Sequence, residues 1–326
     1  MNRKAKMMSK LGLLLITISV VGGSAAGQDL LWKEMADLPR SVAGYMAGVV
    51  HGKLVIVGGT YWENKQKHWS DLVQVYDPAT NQWTNDAALP MPRSDAAAAV
   101  LNDDLYLFGG ESGSDVRKDG LVLHQGKWSA VPDADLPEPR QFAGAIASGG
   151  YIYVLGGVPG SDYGTVAATF WRWKPKMKKW EVLPPLPGPG RISMAMAEVN
   201  GEIYTFGGAT TGPKDVQNLG DAYRYDPGKR TWKRLPDLGI ANRAWWAVGL
   251  GSRAVILGGY TNDFAADVYV YEQNNLEKTS PLLHPLADAK FFRIGDKIVG
   301  TGGEAAPGIR GKWTMEAEIP AAWGGR

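Results

Sequence analysis

Apolar runs that each end in a pair of glycines recur along the chain. Typical runs are Lys53–Val57 and Glu202–Phe206, in which residues of high β-propensity lead directly into the glycines. The pairs are Gly58-Gly59, Gly109-Gly110, Gly156-Gly157, Gly207-Gly208, Gly258-Gly259 and Gly302-Gly303. A regular spacing of roughly 50 residues is typical of repeat architectures, in which each unit is one piece of supersecondary structure. Each run therefore predicts a strand followed by a tight turn.

The rest of each unit predicts three more strands. A second strand ends in an aromatic-Asp-Pro turn such as Tyr76-Asp77-Pro78, and a third strand carries a tryptophan: Trp83, Trp128, Trp180 or Trp232. A Pro-rich connection then ends in a basic residue and leads into a strand of small residues such as Ala96–Val100. The basic residues are Arg40, Arg93, Arg140 and Arg191, with degenerate copies ending at Arg243 and Lys290. Four strands per unit and six units predict an all-β, six-bladed propeller.

The two ends of the repeat region predict how the ring closes. Leu30–Glu34 is a strand without a unit of its own, whereas the sixth unit stops after the strand near Lys312–Glu316 and has no tryptophan-bearing last strand. We expect the N-terminal strand to complete the sixth blade, since this removes the exposed edges. Residues 27–326 then form one domain.

The N-terminus predicts a signal peptide. A basic segment, Met1–Lys10, precedes the apolar run Leu11–Val21 and small residues up to Ala26. This order is typical of a secretory signal cleaved after residue 26, and the apolar run is too short for a membrane anchor. We therefore expect a secreted protein, periplasmic in a bacterium, with no membrane association after cleavage.

Composition excludes several classes of function. The formal net charge is +2, and no basic stripe could follow a nucleic-acid backbone. The chain has no cysteine and only four histidines, spaced too widely for a local zinc motif. It also has no nucleophile elbow, P-loop or dinucleotide fingerprint. We expect no metal and no organic cofactor.

The repeated phrase resembles the kelch repeat. Gly-Gly after an apolar strand, then Tyr-Asp-Pro, Trp and Leu-Pro-x-Pro-Arg recur over essentially all of residues 30–326. This resemblance implies a kelch β-propeller. The kelch-like copper oxidases are also similar in architecture, but their radical cofactor is a tyrosine cross-linked to a cysteine, which this chain lacks.

In a propeller, the segments after Gly-Gly and after Pro-x-Pro-Arg open on one face around the central channel. We expect Glu111, Arg140, Arg191 and Trp245 to meet there and to bind substrate, since cationic and aromatic groups suit a small anionic or sugar ligand. The alternative for the repeated arginines is a scaffold role, in which they donate to loop carbonyls in every blade. The four repeated tryptophans are interpreted as packing between blades.

One loop departs from the repeat. Gly303 is followed by Glu-Ala-Ala-Pro-Gly-Ile-Arg, residues 304–310. This stretch resembles Gly-Glu-Ala-x-Pro-Gly-[Leu/Ile]-Arg of the bacterial N-acetylneuraminate epimerases, or sialic acid mutarotases, which are secreted six-bladed kelch propellers. The resemblance implies that Glu304 and Arg310 form the catalytic pair, and its position in the last blade implies a circularly permuted relative. Glu111 and Arg117 have the same spacing without the Ala-x-Pro-Gly, so the alternative is a Glu–Arg pair that only holds a short loop.

Two hypotheses follow. In the first, the protein is a secreted sugar mutarotase that acts on N-acetylneuraminate or a related acidic sugar by general acid–base catalysis. In the second, it is a non-catalytic kelch propeller that binds a glycan or a protein partner on the same face. Propellers support both kinds of function, so the fold alone does not decide between them.

Overall fold

A computed structural model describes residues 29–113, 115–160, 163–212 and 215–323. Every regular element in these residues is a β-strand. Within the same ranges, no helix has the length and hydrophobicity needed to cross a membrane. The predicted signal peptide, residues 1–26, lies outside the described residues.

The strands follow one another in six groups after a short first strand. The first half contains β1 (Trp32–Glu34), β2 (Met46–Val50), β3 (Lys53–Val57), β4 (Thr60–Glu63), β5 (Gln66–Trp69), β6 (Val73–Asp77), β7 (Gln82–Asp86), β8 (Ala97–Leu101), β9 (Asp104–Phe108), β10 (Glu111–Ser112), β11 (Asp115–Val116), β12 (Gly120–His124), β13 (Lys127–Ala130), β14 (Gly144–Ser148), β15 (Tyr151–Leu155), β16 (Phe170–Trp173) and β17 (Glu181–Leu183). The second half contains β18 (Ala195–Val199), β19 (Glu202–Phe206), β20 (Ala209–Thr211), β21 (Val216–Asn218), β22 (Ala222–Asp226), β23 (Thr231–Arg234), β24 (Trp246–Leu250), β25 (Arg253–Leu257), β26 (Val268–Glu272), β27 (Asn275–Thr279), β28 (Lys290–Ile294), β29 (Lys297–Thr301), β30 (Glu304–Ala306), β31 (Ile309–Arg310) and β32 (Thr314–Glu318).

These strands form six antiparallel four-stranded sheets, which confirms the predicted six-bladed propeller. From the inner to the outer strand, blades 1 to 5 are β2-β3-β6-β7, β8-β9-β12-β13, β14-β15-β16-β17, β18-β19-β22-β23 and β24-β25-β26-β27. Blade 6 is β28-β29-β32-β1. Four further pairs, β4-β5, β10-β11, β20-β21 and β30-β31, are small ribbons between the second and third strands of blades 1, 2, 4 and 6.

The inner strands line a central channel. Ala47, Ala98, Ala145 and Met196 face it from blades 1 to 4. The small residues of blades 1 to 3 leave room for the larger Met196, Trp246 and Phe292, which also line the channel from blades 4 to 6. The hydrophobic cores lie between adjacent blades; Phe108 and Trp180, for example, are in edge-to-face contact at 4.9 Å between ring centroids.

The Gly-Gly pairs connect each blade to the next one. Both glycines have positive φ in every blade, and a side chain at Gly58 would collide with the carbonyl of Arg93. The second glycine donates its N–H to the next blade: Gly59 to Arg93 O at 2.8 Å, and Gly110 to Arg140 O at 2.6 Å. The glycines are therefore required for backbone conformation and for the close approach of the next blade.

The repeated tryptophans also join neighbouring blades. Each donates its indole N–H to a carbonyl in the preceding Pro-rich connection: Trp83 to Ala36 at 2.9 Å, Trp128 to Ala87 at 3.0 Å, Trp180 to Ala134 at 2.9 Å and Trp232 to Pro184 at 3.0 Å. This confirms the interpretation of these residues as contacts between blades.

The ring closes through the N-terminal strand, as predicted. β1 pairs with β32, with Trp32 opposite Ala317 and Glu34 opposite Met315. At the junction of blades 6 and 1, the buried Tyr45 hydroxyl donates to Thr301 O at 2.5 Å and accepts the Lys290 N–H at 2.8 Å.

Candidate functional site

A ring of six residues with left-handed backbone surrounds one end of the channel. The residues are Gly44, Asp95, Phe142, Ser193, Ala244 and Asp288, one from each blade. From Asp95 onward, each backbone N–H donates to the carbonyl of the ring residue in the preceding blade, at 2.6 to 3.3 Å. The ring closes differently at Gly44, whose N–H donates to the side-chain Oδ2 of Asp288 at 2.5 Å. We call these six residues and the space they enclose the channel mouth.

In each blade, the backbone carbonyl of the residue two positions before the ring residue accepts the N–H of the second glycine of the previous blade. These acceptors are Val42, Arg93, Arg140, Arg191, Asn242 and Leu286. The predictions that Arg40 is a copy of the repeated arginine and that degenerate copies end at Arg243 and Lys290 are therefore wrong, because Val42, Asn242 and Leu286 hold these positions. Asn242 takes the place of the arginine in blade 5, where its Nδ2 donates to Gly258 O at 3.1 Å.

The repeated arginines are buried within the scaffold. Arg191 is fully buried; its Nη1 donates to Gly207 O at 2.9 Å, and both of its Nη atoms pair with Asp221 at 3.0 Å. Arg140, 2% exposed, donates to Pro139 O and Glu138 and lies over Trp171. These contacts assign Arg140 and Arg191 the scaffold role that the sequence left open, instead of contact with substrate.

Two other predicted substrate contacts also have protein partners. Trp245 is 2% exposed and donates its indole N–H to Phe206 O at 3.0 Å, although its ring borders the channel mouth. Glu111 Oε1 accepts from Lys67 Nζ at 3.0 Å and from the indole of Trp69 at 3.1 Å, and so connects blade 2 to the β4-β5 ribbon. Substrate binding by Glu111 and Trp245 stays a prediction.

Glu304 and Arg310 do meet. They are opposite each other in the β30-β31 ribbon, with Arg310 Nη1 2.9 Å from Glu304 Oε1. The same Oε1 accepts the N–H of Gly308 at 2.9 Å, and Arg310 Nη2 donates to Thr60 Oγ1 in blade 1 at 3.0 Å. In blade 2, by contrast, Arg117 pairs with Asp119 at 2.7 Å and not with Glu111. The identical spacing therefore produces a Glu–Arg pair only in the ribbon of blade 6.

Arg310 borders an open groove of about 550 Å³ between blades 6 and 1. Its other principal side chains are Arg40, Tyr61 and Trp62. The Arg40 guanidinium lies 4.6 Å from the centroid of the Tyr61 ring, and Trp62 is 46% exposed. We call this space the rim groove. It combines cationic and aromatic groups, the combination that the sequence predicted for this face.

The channel mouth contains a second polar group. Asp288 Oδ1 pairs with Lys290 Nζ at 2.9 Å, and a Cβ atom at Gly44 would lie 2.7 Å from Asp95 Oδ1. Gly44 therefore separates two carboxyl groups that come from blades 2 and 6. Burial, followed by the negative charge of Asp288, raises the pKa of Asp95 to about 7. Among the described residues, no cluster of three or more His, Asp or Glu side chains could hold a metal ion.

Comparison with known families agrees with this architecture. A model described as the KLHDC2/KLHL20/DRC7 Kelch-repeats domain matches residues 30–208, and a Kelch motif matches residues 190–239. The chain belongs to the kelch-repeat family. The solved structure of YjhT superposes on this kelch protein with a TM-score of 0.72 and 16% identity, over 86% of this chain and 95% of that one. This likeness supports the fold.

The relatives of this kelch protein include both Kelch-like proteins and a sugar epimerase. Kelch-like protein terF of Aspergillus terreus is 29% identical over 70% of this chain and 52% of its own length. N-acetylneuraminate epimerase of Haemophilus influenzae is 34% identical over 25% of this chain and 22% of that protein. The chain spans about half the length of terF and less of Kelch-like protein 25 of Xenopus tropicalis. The circular permutation stays a prediction.

Two features of the site are not evident from the sequence pattern. Arg40 has the appearance of a copy of the repeated arginine, whereas in the structure it is an exposed cation of the rim groove. Asp288 lies in a degenerate unit whose pattern gives no sign of a functional side chain. When the units are aligned on the residues whose carbonyls accept from the second glycine, instead of on their basic residues, Asp288 and Asp95 fall at the same repeat position.

Proposed function

We propose that this kelch propeller is a secreted mutarotase that interconverts the anomers of N-acetylneuraminate or a related acidic sugar, with Glu304 and Arg310 as its catalytic pair. The observation that carries the proposal is the Glu304–Arg310 pair, whose arginine borders the rim groove beside an exposed cation and an exposed indole. The local similarity to N-acetylneuraminate epimerase supports the choice of sugar.

The geometry of Glu304 suits proton transfer. Mutarotation removes a proton from the anomeric hydroxyl and delivers one to the ring oxygen as that C–O bond breaks, and the reverse steps close the ring on the other face. A positioned carboxylate can carry this proton and accelerate the reaction about 10²- to 10⁴-fold. Both protein contacts of Glu304 use Oε1, so within the described chain Oε2 has no hydrogen-bond partner. Oε2 is the oxygen that we assign to the proton transfer.

Arg40 suits the carboxylate of the sugar. Its side chain is exposed and forms no ion pair with any described residue, and its only side-chain contact of note is with the Tyr61 ring. Guanidinium groups bind carboxylates through two parallel hydrogen bonds, which fixes the orientation of the ligand. Arg310 is already held by Glu304 and Thr60, so its role is to position Glu304 and to add positive charge.

Trp62 suits the sugar ring. Its indole is one of the few large hydrophobic side chains that remain exposed among the described residues. An exposed aromatic face beside polar groups is typical of a site that binds a ligand with one apolar and one polar side. We therefore expect Trp62 to cover the apolar face of the sugar.

The second candidate is a non-catalytic propeller that binds a glycan or a protein at the same groove. The observation that favours it is the length of the match to the Kelch-like proteins, which extends over 70% of this chain, whereas the match to the epimerase covers 25%. Under this alternative the Glu304–Arg310 pair only stabilises the ribbon.

The experiment that separates the two candidates follows freshly released α-N-acetylneuraminate by NMR with and without purified protein. A mutarotase accelerates conversion to the β anomer in proportion to protein concentration. Glu304→Gln preserves the size of the side chain and is expected to lower the rate about 10²- to 10⁴-fold. The matched control is Glu318→Gln, an exposed substitution at the far end of β32 in the same blade.

A further variant tests binding separately from proton transfer. Arg40→Met is expected to raise KM and to leave kcat within a few-fold, because it removes a contact made equally in the ground and transition states. If the wild-type protein is folded but does not accelerate conversion, the mutarotase proposal fails. Saturable binding of the sugar without acceleration would instead support the second candidate.

A further inference from the structure

The channel mouth is a cavity distinct from the rim groove, and its two walls differ in chemistry. Asp95, Asp288 and Lys290 lie on one wall, around Gly44. Phe142 and Trp245 lie on the wall formed by blades 3 to 5, together with Met194, Met196 and Ala244. The space available is about 100 Å³, which suits a head group of a few atoms and not a whole sugar.

On the charged wall, the carboxyl group of Asp95 has no positively charged partner among the described residues. Lys290 pairs with Asp288 Oδ1 and lies 4.7 Å from the Tyr45 ring centroid, and Gly44 N–H binds Asp288 Oδ2. Each oxygen of Asp288 thus has one protein partner and can accept a second hydrogen bond, whereas the charge of Lys290 is already paired. Asp95, in contrast, forms no ion pair with any residue that the structure describes.

The charged groups around Asp95 carry a net negative charge. Burial raises the pKa of Asp95 most, the negative charges of Asp288 and Glu111 raise it further, and a hydrogen bond with Ser94 and the charge of Lys67 lower it. Lys67 is itself paired with Glu111 at 3.0 Å. Tyr163 also faces this region; burial, followed by the negative charge of Asp95, raises the pKa of its hydroxyl. Asp95 is therefore the group whose charge an incoming cation would compensate.

We propose that the channel mouth is a binding site for a small primary ammonium ligand, with the nitrogen between Asp95 and Asp288 and the carbon chain against Phe142 and Trp245. A primary ammonium has three N–H donors and can bond to both carboxylates. Gly44 lets both carboxyl groups approach its backbone, because a side chain there would collide with Asp95 while the Gly44 N–H binds Asp288. The aromatic wall adds favourable contact with the cation and its apolar chain.

Calorimetric titration with n-propylammonium tests the proposal, with n-propanol as the neutral control. Burial raises the pKa of Asp95 to about 7, so roughly a tenth of the carboxyl groups are ionised at pH 6 and nine tenths at pH 8. We expect n-propylammonium to bind about tenfold more tightly at pH 8 than at pH 6, and n-propanol not to bind. Phosphate buffers are required, because amine buffers would compete.

Asp95→Asn is the decisive variant, and Asp103→Asn is its matched control. Both residues have positive φ, +55° and +62°, which asparagine tolerates, and both lie in blade 2. We expect Asp95→Asn to abolish binding and Asp103→Asn to leave it unchanged.

The proposal is overturned by any of four results: no binding at either pH, equal affinity for n-propanol, an affinity independent of pH, or unchanged binding in Asp95→Asn. Neither probe carries a carboxylate or an anomeric carbon. The outcome is therefore independent of the mutarotase proposal.

Discussion

Replacing Asp95 by asparagine should stabilise the protein at neutral and alkaline pH. The carboxyl group has a pKa of about 7 in the folded protein, compared with an ordinary value of 3.8. Between these values the folded state keeps a proton that the unfolded chain has released, so raising the pH through this window favours unfolding. The loss of stability begins near pH 4 and is complete above pH 7.

The magnitude follows from the size of the shift. About three pH units at about 1.4 kcal/mol each give about 4 kcal/mol, and partial exposure of Asp95 to solvent reduces this to about 2–4 kcal/mol. Asparagine has no titratable group. The unfolding free energy of Asp95→Asn, relative to that of the wild type, should therefore rise by this amount between pH 4 and pH 8.

Urea unfolding followed by tryptophan fluorescence at several pH values measures this difference. The other titrating groups are common to both proteins and cancel in the comparison. A difference that stays constant from pH 4 to pH 8, or that changes in the opposite direction, would refute the reasoning, because Asp95 would then ionise as easily in the folded protein as in the unfolded chain.

Two other predictions concern the scaffold. Arg191→Met should lower the unfolding free energy by about 3–5 kcal/mol, because it leaves Asp221 partly buried without its partner. The exposed control Lys229→Met should change the unfolding free energy by less than about 1 kcal/mol. Equal effects of the two substitutions in urea unfolding would contradict the scaffold role of Arg191. Deleting residues up to Asp37 should lower Tm and promote self-association, because the edge of β32 loses its partner β1; light scattering that shows only monomer would argue against this role of β1.

The fold could be predicted from the sequence because the information that specifies it is local and repeated. Gly58-Gly59 and its five counterparts each have the backbone conformation that only glycine adopts easily. Closure could be predicted as well, since Leu30–Glu34 reads in the sequence as a strand without a repeat unit of its own. Repetition made these features recognisable without any knowledge of tertiary contacts.

The site was less predictable because its contacts depend on side chains that the repeat pattern does not specify. Arg117 has the same spacing from Glu111 as Arg310 has from Glu304, but a nearby carboxylate, Asp119, pairs with it instead. Asn242 replaces a repeated arginine because its amide reaches the same kind of carbonyl, a substitution that charge patterns do not reveal. Asp95 and Asp288 belong to different blades, and only the bare backbone of Gly44 brings them together.

The pairing of β1 with β32 also sets an order of events during protein synthesis. β1 is made before the other described strands of the ring, yet its partner, Thr314–Glu318, is the last of them to be made. Blades 1 to 5 can each form from neighbouring strands as they appear, whereas blade 6 needs both β1 and the much later β28, β29 and β32. At a typical elongation rate of about 5–20 residues per second, β1 stays unpaired for tens of seconds. β1 is therefore made first among the described strands of the ring and pairs last, and a chain whose synthesis stops before β32 keeps an open ring.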